Sequence, residues 1–222
     1  MSKNIAVILA GCGHLDGAEI RESLLTLLEL DRQDANVKVF APTYDQFHTV
    51  NHMTGEAKET AENNKRSIIE EASRITRGPI EPLNSLEVNT FDGLIIPGGF
   101  GVAKNLSKFA FDGPQGALDP DLRKVVESFY EQKKPIGAIC ISPAIIAMIL
   151  GVHGVKLTIG DQKEVAEAIE STGAQHQNCS VEQICFDEQN KVVSTPAYMY
   201  DSARLKDVSA GIQKLVEKVL SL

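Results

Sequence analysis

Cys140 stands in the stretch KKPIGAICISPAII, Lys133 to Ile146. A polar helix end runs into Pro135, a short apolar run follows, then the cysteine, then a proline-led apolar segment. The pattern predicts a buried strand, Pro135 to Ile139, that turns directly into a helix from Pro143 to Leu150. A thiol at such a turn is held above the sheet with the next helix's N-terminus beneath it. That positive dipole end favours the thiolate, the nucleophilic form. A nearby backbone N–H, such as that of Ile141, can stabilise an oxyanion. These are the mechanics of a nucleophile elbow, although G-x-S-x-G itself is absent. A buried cysteine at a strand–helix junction also packs as an inert small hydrophobe, and the residues alone leave both roles open.

Two further loops carry chemistry-bearing groups. PGGFG, Pro97 to Gly101, follows a buried strand. Its double glycine, Gly98 and Gly99, lets the backbone turn sharply, approach a ligand and leave N–H groups free. It also reads as a plain tight turn. GCGHLDGAEI, Gly11 to Ile20, brings His14, Asp16 and Glu19 to the end of the first strand. Asp16 occupies the place of the last glycine in G-x-G-x-x-G, and there is no Walker lysine, so neither NAD nor ATP is expected. Glu19 falls in the first turn of a helix, where a carboxylate is favoured for structural reasons alone. His52, in TVNHMTGE, belongs to a polar loop that also reads as a helix N-cap. His48, His153 and His176 form no ligand pair. Cys12 is expected to face the site; Cys179 and Cys185 read as structural. The four cysteines show no CxxC spacing, and no metal is expected.

The elements that must position these loops alternate along the chain. Asn4 to Ala10 is a continuous apolar run, as in a strand covered on both faces. A helix follows with Ile20, Leu24, Leu27 and Leu28 on its apolar face and Glu22 and Glu29 elsewhere. Strands are expected at Asn36 to Ala41 and in FDGLIIPGG, and a long charged helix from Gly55 to Arg77. Helices are expected from Asp119 to Lys134, near Gln162 to Ser171, and at the C-terminus through Leu205, Val208, Ile212, Leu215 and Val219. A strand at Lys156 to Ile159 and a hairpin, Gln183 to Phe186 with Lys191 to Thr195, complete the pattern. Alternation of strand and helix predicts an α/β fold with a mostly parallel sheet, read as one domain over residues 1–222, with 42–89 as an insertion. Ligands then sit beyond the carboxyl ends of the strands, where the three loops meet.

Of 222 residues, 43% are hydrophobic, enough for a sizeable core, and the net charge is -8. The acidic balance and the lack of a basic run argue against nucleic acid or an anionic membrane as partner. Ile5 to Ala10 is too short for a membrane span, which needs about 20 apolar residues, and is read as a strand, so the expected location is the cytosol.

GLIIPGGFGVAKNL followed by KPIGAICISPA resembles the PfpI-type protease and Parkinsonism-associated deglycase superfamily of class I glutamine-amidotransferase-like proteins. GCGHLDGAEI, VNHMTGE, EASRITRG, IPGGFGVAKNLS and STPAYM, in that order, resemble its enhancing-lycopene-biosynthesis branch, described as a glyoxalase. The resemblance spans nearly the whole chain. It implies a flavodoxin-like three-layer sandwich, a homodimer, and a nucleophilic Cys140 hydrogen-bonded by a glutamate of the first helix, with Glu19 at that place. It implies oxyanion donors at the backbone of Gly99 and Ile141, and leaves His14, His52, Gly98 and Asp16 as candidates for substrate binding. Several superfamily members carry a histidine where this chain has Gly160; that departure counts against a Cys-His-Glu hydrolase, with substitution by His14 or His52 from another loop left open by the spacing. What it implies instead is a cofactor-independent glyoxalase acting on glyoxal or another small aldehyde through a Cys140 hemithioacetal, with Glu19 moving the proton. Redox sensing, simple binding and deglycation use the same thiol and stay open as alternatives.

Overall fold

The computed structural model describes residues 2–58 and 65–222. Its centre is a seven-stranded sheet. In chain order the strands are β1 (Asn4–Ile8), β2 (Asn36–Ala41), β5 (Glu81–Pro82), β6 (Gly93–Ile96), β7 (Ile136–Ile139), β10 (Cys185–Asp187) and β11 (Val192–Thr195). Their spatial order is β10-β11-β7-β6-β1-β2-β5, and only β10 runs antiparallel to its neighbour. The α/β class and the predominantly parallel sheet are as the alternation predicts.

Strand pleating divides the apolar residues between two layers. Ala6, Ile8, Leu94, Ile96, Ile136 and Ala138 join one core with α5 (Pro120–Glu131) and α6 (Ser142–Leu150). Ile5, Val7, Leu9, Ile95, Ile139 and Val193 join the other. That second core is covered by α1 (Ile20–Arg32), α2 (Ile68–Thr76) and α8 (Leu205–Ser221). All four residues of β6 and of β7 are buried, which explains their unbroken apolar runs.

Three expectations change. The charged stretch from Gly55 is not helical at its start: Ala57–Lys58 (β4) pairs antiparallel with Thr49–Val50 (β3), and α2 begins only at Ile68. The expected helix also runs through 59–64, outside the described residues. The strand at Lys156–Leu157 (β8) does not enter the main sheet but pairs with Gln175–His176 (β9), on either side of α7 (Lys163–Ser171). Lastly, α1 is inside out. Ile20, Leu24 and Leu28 are exposed, whereas Glu22, Ser23, Thr26 and Glu29 are buried with Leu30. Periodicity finds the apolar stripe of a helix, but not which side the fold turns inward.

Candidate active site

Four carboxyl ends converge at one place: those of β1, β6, β7 and β11. Cys140 follows β7 directly and holds φ at 62°. A non-glycine residue in that region costs on the order of 1 kcal/mol or more. The conformation is pinned by its own N–H, which donates to the Thr195 carbonyl at 3.0 Å. Downstream, the Ser142 hydroxyl donates to the Pro97 carbonyl at 2.9 Å, tying the start of α6 to the end of β6. The elbow predicted from PIGAICISPA is therefore present, and α6 begins two residues after the cysteine.

The acid beside the sulfur is Glu22. Its carboxyl lies beside the Cys140 thiol: both face Gly98, and each perturbs the other's ionisation. Two backbone donors fix the carboxyl: Gly98 N–H gives to Oε2 at 2.9 Å and Tyr198 N–H to Oε1 at 3.2 Å. Glu19, expected in this role, lies one turn earlier. It is the N-cap of α1, and its carboxylate accepts the Glu22 N–H at 2.6 Å. The physical reason is directional. Helical side chains lean toward the helix N-terminus, so a residue one turn inside α1 reaches back to the loops where the helix starts. Gly98 makes the approach possible. A Cβ there would lie 2.4 Å from the Cys140 Cβ, 2.7 Å from Glu22 Oε2 and 3.0 Å from the sulfur. Because the Gly98 N–H is spent on Glu22, it does not serve a substrate, contrary to expectation.

The backbone N–H groups of Gly99 and Ile141 lie beside the Cys140 sulfur. They pull the thiol pKa down, yet burial and the neighbouring Glu22 carboxylate push it well up, and these dominate. Glu22, wholly buried, is likewise raised by desolvation, then by Glu19, to about 8. The dipole beneath the sulfur therefore does not by itself keep it anionic. Two acids in one dry site cannot both ionise, so the pair holds at most one negative charge and titrates as a unit.

A cleft of about 630 Å³ opens above the sulfur. Cys140, Ile141, Gly99 and Phe100 form its floor. His14, Glu19 and Arg21 come from the β1–α1 region, His52 from the β3–β4 hairpin, and Tyr198, Met199 and Asp201 from the segment after β11. The sequence reading did not pick out Arg21 or Tyr198 as site residues. The Arg21 guanidinium donates to the Tyr198 hydroxyl at 3.1 Å and so bridges two of these walls. Asp16 does not line the cleft. It is buried, accepts the Val50 N–H at 2.7 Å and thereby anchors the hairpin. Cys12 also points elsewhere, half-buried near Glu71 and Asp16, and its thiol is raised by burial. Gly160 adopts φ +75°, and a Cβ on it would meet the Tyr200 ring at 2.9 Å, so no histidine fits there.

The chain matches the DJ-1/PfpI family over residues 14–203. It belongs to that family. Human "Glutamine amidotransferase-like class 1 domain-containing protein 3, mitochondrial" is 40% identical, with 98% of this chain and 82% of the human protein covered. The rat "ES1 protein homolog, mitochondrial" is 39% identical over 98% of this chain and 83% of the rat protein. Among solved structures, an isoprenoid biosynthesis protein with amidotransferase-like domain from Ehrlichia chaffeensis superposes with a TM-score of 0.90 at 40% identity, covering 99% of both chains. Drosophila melanogaster DJ-1beta, at 18% identity and a TM-score of 0.57, shares the fold. The expected class I glutamine-amidotransferase-like, flavodoxin-like architecture stands. The two mammalian relatives are named mitochondrial, and among the described residues no helix is long and apolar enough to cross a membrane.

Proposed function

We propose that this protein is a glyoxalase of the enhancing-lycopene-biosynthesis branch, converting glyoxal or a small 2-oxoaldehyde to the hydroxy acid. The observation that carries the reading is the placement of the Cys140 sulfur and the Glu22 carboxyl together against Gly98, with Cys140, Gly99 and Ile141 lining an open cleft. The Cys140 sulfur adds to one aldehyde carbon, and the oxygen takes up a proton to give a hemithioacetal. Glu22, as carboxylate, removes the hydrogen from that carbon. The charge moves onto the second oxygen as an enediolate, which the backbone donors stabilise. Glu22 then returns the proton to the second carbon, and the proton on the first oxygen passes to the second. One carbon is thereby oxidised and the other reduced, leaving a glycolate thioester on sulfur. Water cleaves the thioester and restores the thiol. The electrons stay within the substrate, so the balance requires no external oxidant.

Glu22 suits this role because its raised pKa of about 8 makes it both a competent base and a ready acid near neutrality. The test is glycolate formation from glyoxal under saturating conditions, measured beside Cys140→Ser. Loss of saturable turnover in the variant supports the reading; turnover unchanged in Cys140→Ser overturns it.

The cleft volume favours a second reading on the same chemistry. A two-carbon dialdehyde fills only a small part of about 630 Å³, so a carbonyl carried on a larger body, such as a glycated amine, also has room. Product release from a purified hemiaminal, followed in amine-free buffer, separates the two. Oxidation sensing gains no support, since a thiol raised by burial and only 7% exposed is a poor target for oxidants.

A further inference from the structure

We propose that His14 is the general base that activates water for release of the acyl group from Cys140; the inference rests on the glyoxalase reading above. Glu22 has no exposed surface and both its oxygens are engaged by backbone N–H groups. It can exchange a proton with atoms bonded to the sulfur, but water attacking a thioester arrives from the open side of the cleft. A second proton acceptor is needed there.

Among the described residues the histidines sort themselves by their ring contacts. His176 accepts the Ile159 N–H, and His153 stacks on Tyr130 with ring centroids 4.6 Å apart. His48 packs against Phe47 with centroids 4.5 Å apart, and it does not line the cleft. His52 lines the cleft, but its ring is committed. Nδ1 faces the Val50 carbonyl at 3.1 Å and Nε2 accepts the Leu15 N–H at 3.3 Å. Those two contacts engage both ring nitrogens. Asp16 Oδ1, buried and otherwise without a hydrogen-bond partner, lies 3.7 Å from the same Nε2. His52 is thus a bracket rather than a base.

His14 is what the bracket holds. Its ring meets His52 edge to face, with centroids 5.0 Å apart and planes at 73°, and among the described residues neither of its nitrogens has a hydrogen-bond partner. Its backbone is fixed on both sides. The His14 carbonyl accepts the Phe100 N–H at 2.8 Å, next to the Gly99 that lies beside the sulfur. The following residue, Leu15, is held by His52 through its N–H and by Lys104 through its carbonyl. An exposed imidazole lining the cleft is a fitting proton acceptor. Gly160 supplies none, and the Tyr200 ring stands where its Cβ would go.

In the step, a His14 ring nitrogen takes a proton from water as its oxygen adds to the thioester carbon. The tetrahedral oxyanion rests on the Gly99 and Ile141 N–H groups. The carbon–sulfur bond breaks, the thiolate leaves, and the imidazolium proton returns to sulfur. Glycolic acid departs and loses its own proton to solvent.

His14→Asn tests this by single-turnover and steady-state kinetics with glyoxal, with the acyl enzyme trapped as a hydroxamate by hydroxylamine. The expected result is a fall in kcat of about 100-fold, accumulation of trappable thioester, and faster turnover when imidazole is added. His14→Gln should behave alike, and circular dichroism should be unchanged for both because the side chain is exposed. If wild-type protein forms and clears the thioester and His14→Asn clears it equally fast, His14 has no such role while the glyoxalase reading stands. If wild-type protein forms no thioester and no glycolate, both fall together.

Discussion

Helices α1 and α8 lie side by side on the same face of the sheet and obey opposite rules. α8 buries Val208, Ile212, Leu215, Val216 and Val219, as its periodicity requires. α1 buries Glu22, Ser23, Thr26 and Glu29 and leaves Ile20, Leu24 and Leu28 exposed. Both carry a clear apolar stripe. The difference is what each helix is for. α8 closes the core, whereas α1 carries an acid into the protein. The polar side of α1 is made tolerable by local bonds. Thr26 donates to the Glu22 carbonyl, Ser23 to the Glu19 carbonyl, and Arg32 pairs with Glu29 at 2.7 Å. Buried polar groups with such partners escape most of the desolvation penalty.

The sharpest way to break this contrast is on activity. Glu22→Gln should reduce glyoxal turnover by about 1000-fold or more, at the upper range for one acid–base group, while Glu19→Gln changes it by less than about 5-fold. The reverse ranking would return the catalytic assignment to Glu19. Next in size is a core deletion on the ordinary helix: Leu215→Ala should cost about 3 kcal/mol in denaturant unfolding.

Titration separates the two helices again. Glu22 is raised from the ordinary glutamate value of 4.5 to about 8 in the fold. Between those values the unfolded chain releases a proton that the folded chain keeps. Stability should therefore fall as pH rises through that window, by at most about 1.4 kcal/mol per unit, and Glu22→Gln should flatten the slope. Unfolding curves from pH 4.5 to 8.5 give the answer directly; equal slopes in both proteins would show that Glu22 is not desolvated. Removing the cap, Glu19→Ala, should cost about 1 kcal/mol. The smallest effect is expected at Leu24→Ala, within about 0.5 kcal/mol because the side chain is 49% exposed. A cost near that of Leu215→Ala would mean the stripe is covered in solution.

These helices also mark how far the sequence could be read. The strands β1, β6 and β7 were legible because strands buried on both faces are apolar throughout. The elbow at Cys140 was legible because Pro135 and Pro143 bracket it. Glu22 was not. A 3.6-residue period reports that a helix has two sides, and burial of the apolar one is only the usual outcome. A signal did exist: Glu22, Thr26 and Glu29 recur at i, i+4 and i+7, a polar stripe as regular as the apolar one. The hairpin β3–β4 was missed because two-residue strands carry no period, and it is this hairpin that brings His52 beside His14. Gly160 was noticed only as a departure from the family pattern, and the Tyr200 ring packed against it explains why that place is empty.

Gly98 has a consequence for the order of events. With no side chain there, thiol and acid share a single niche. A solute acid or a buffer ion in the cleft meets Cys140 and not Glu22, which has no exposed surface and does not line it. On the glyoxalase reading, covalent capture then comes before proton movement, and the absence of one methyl group sets the sequence of the chemistry as well as its location.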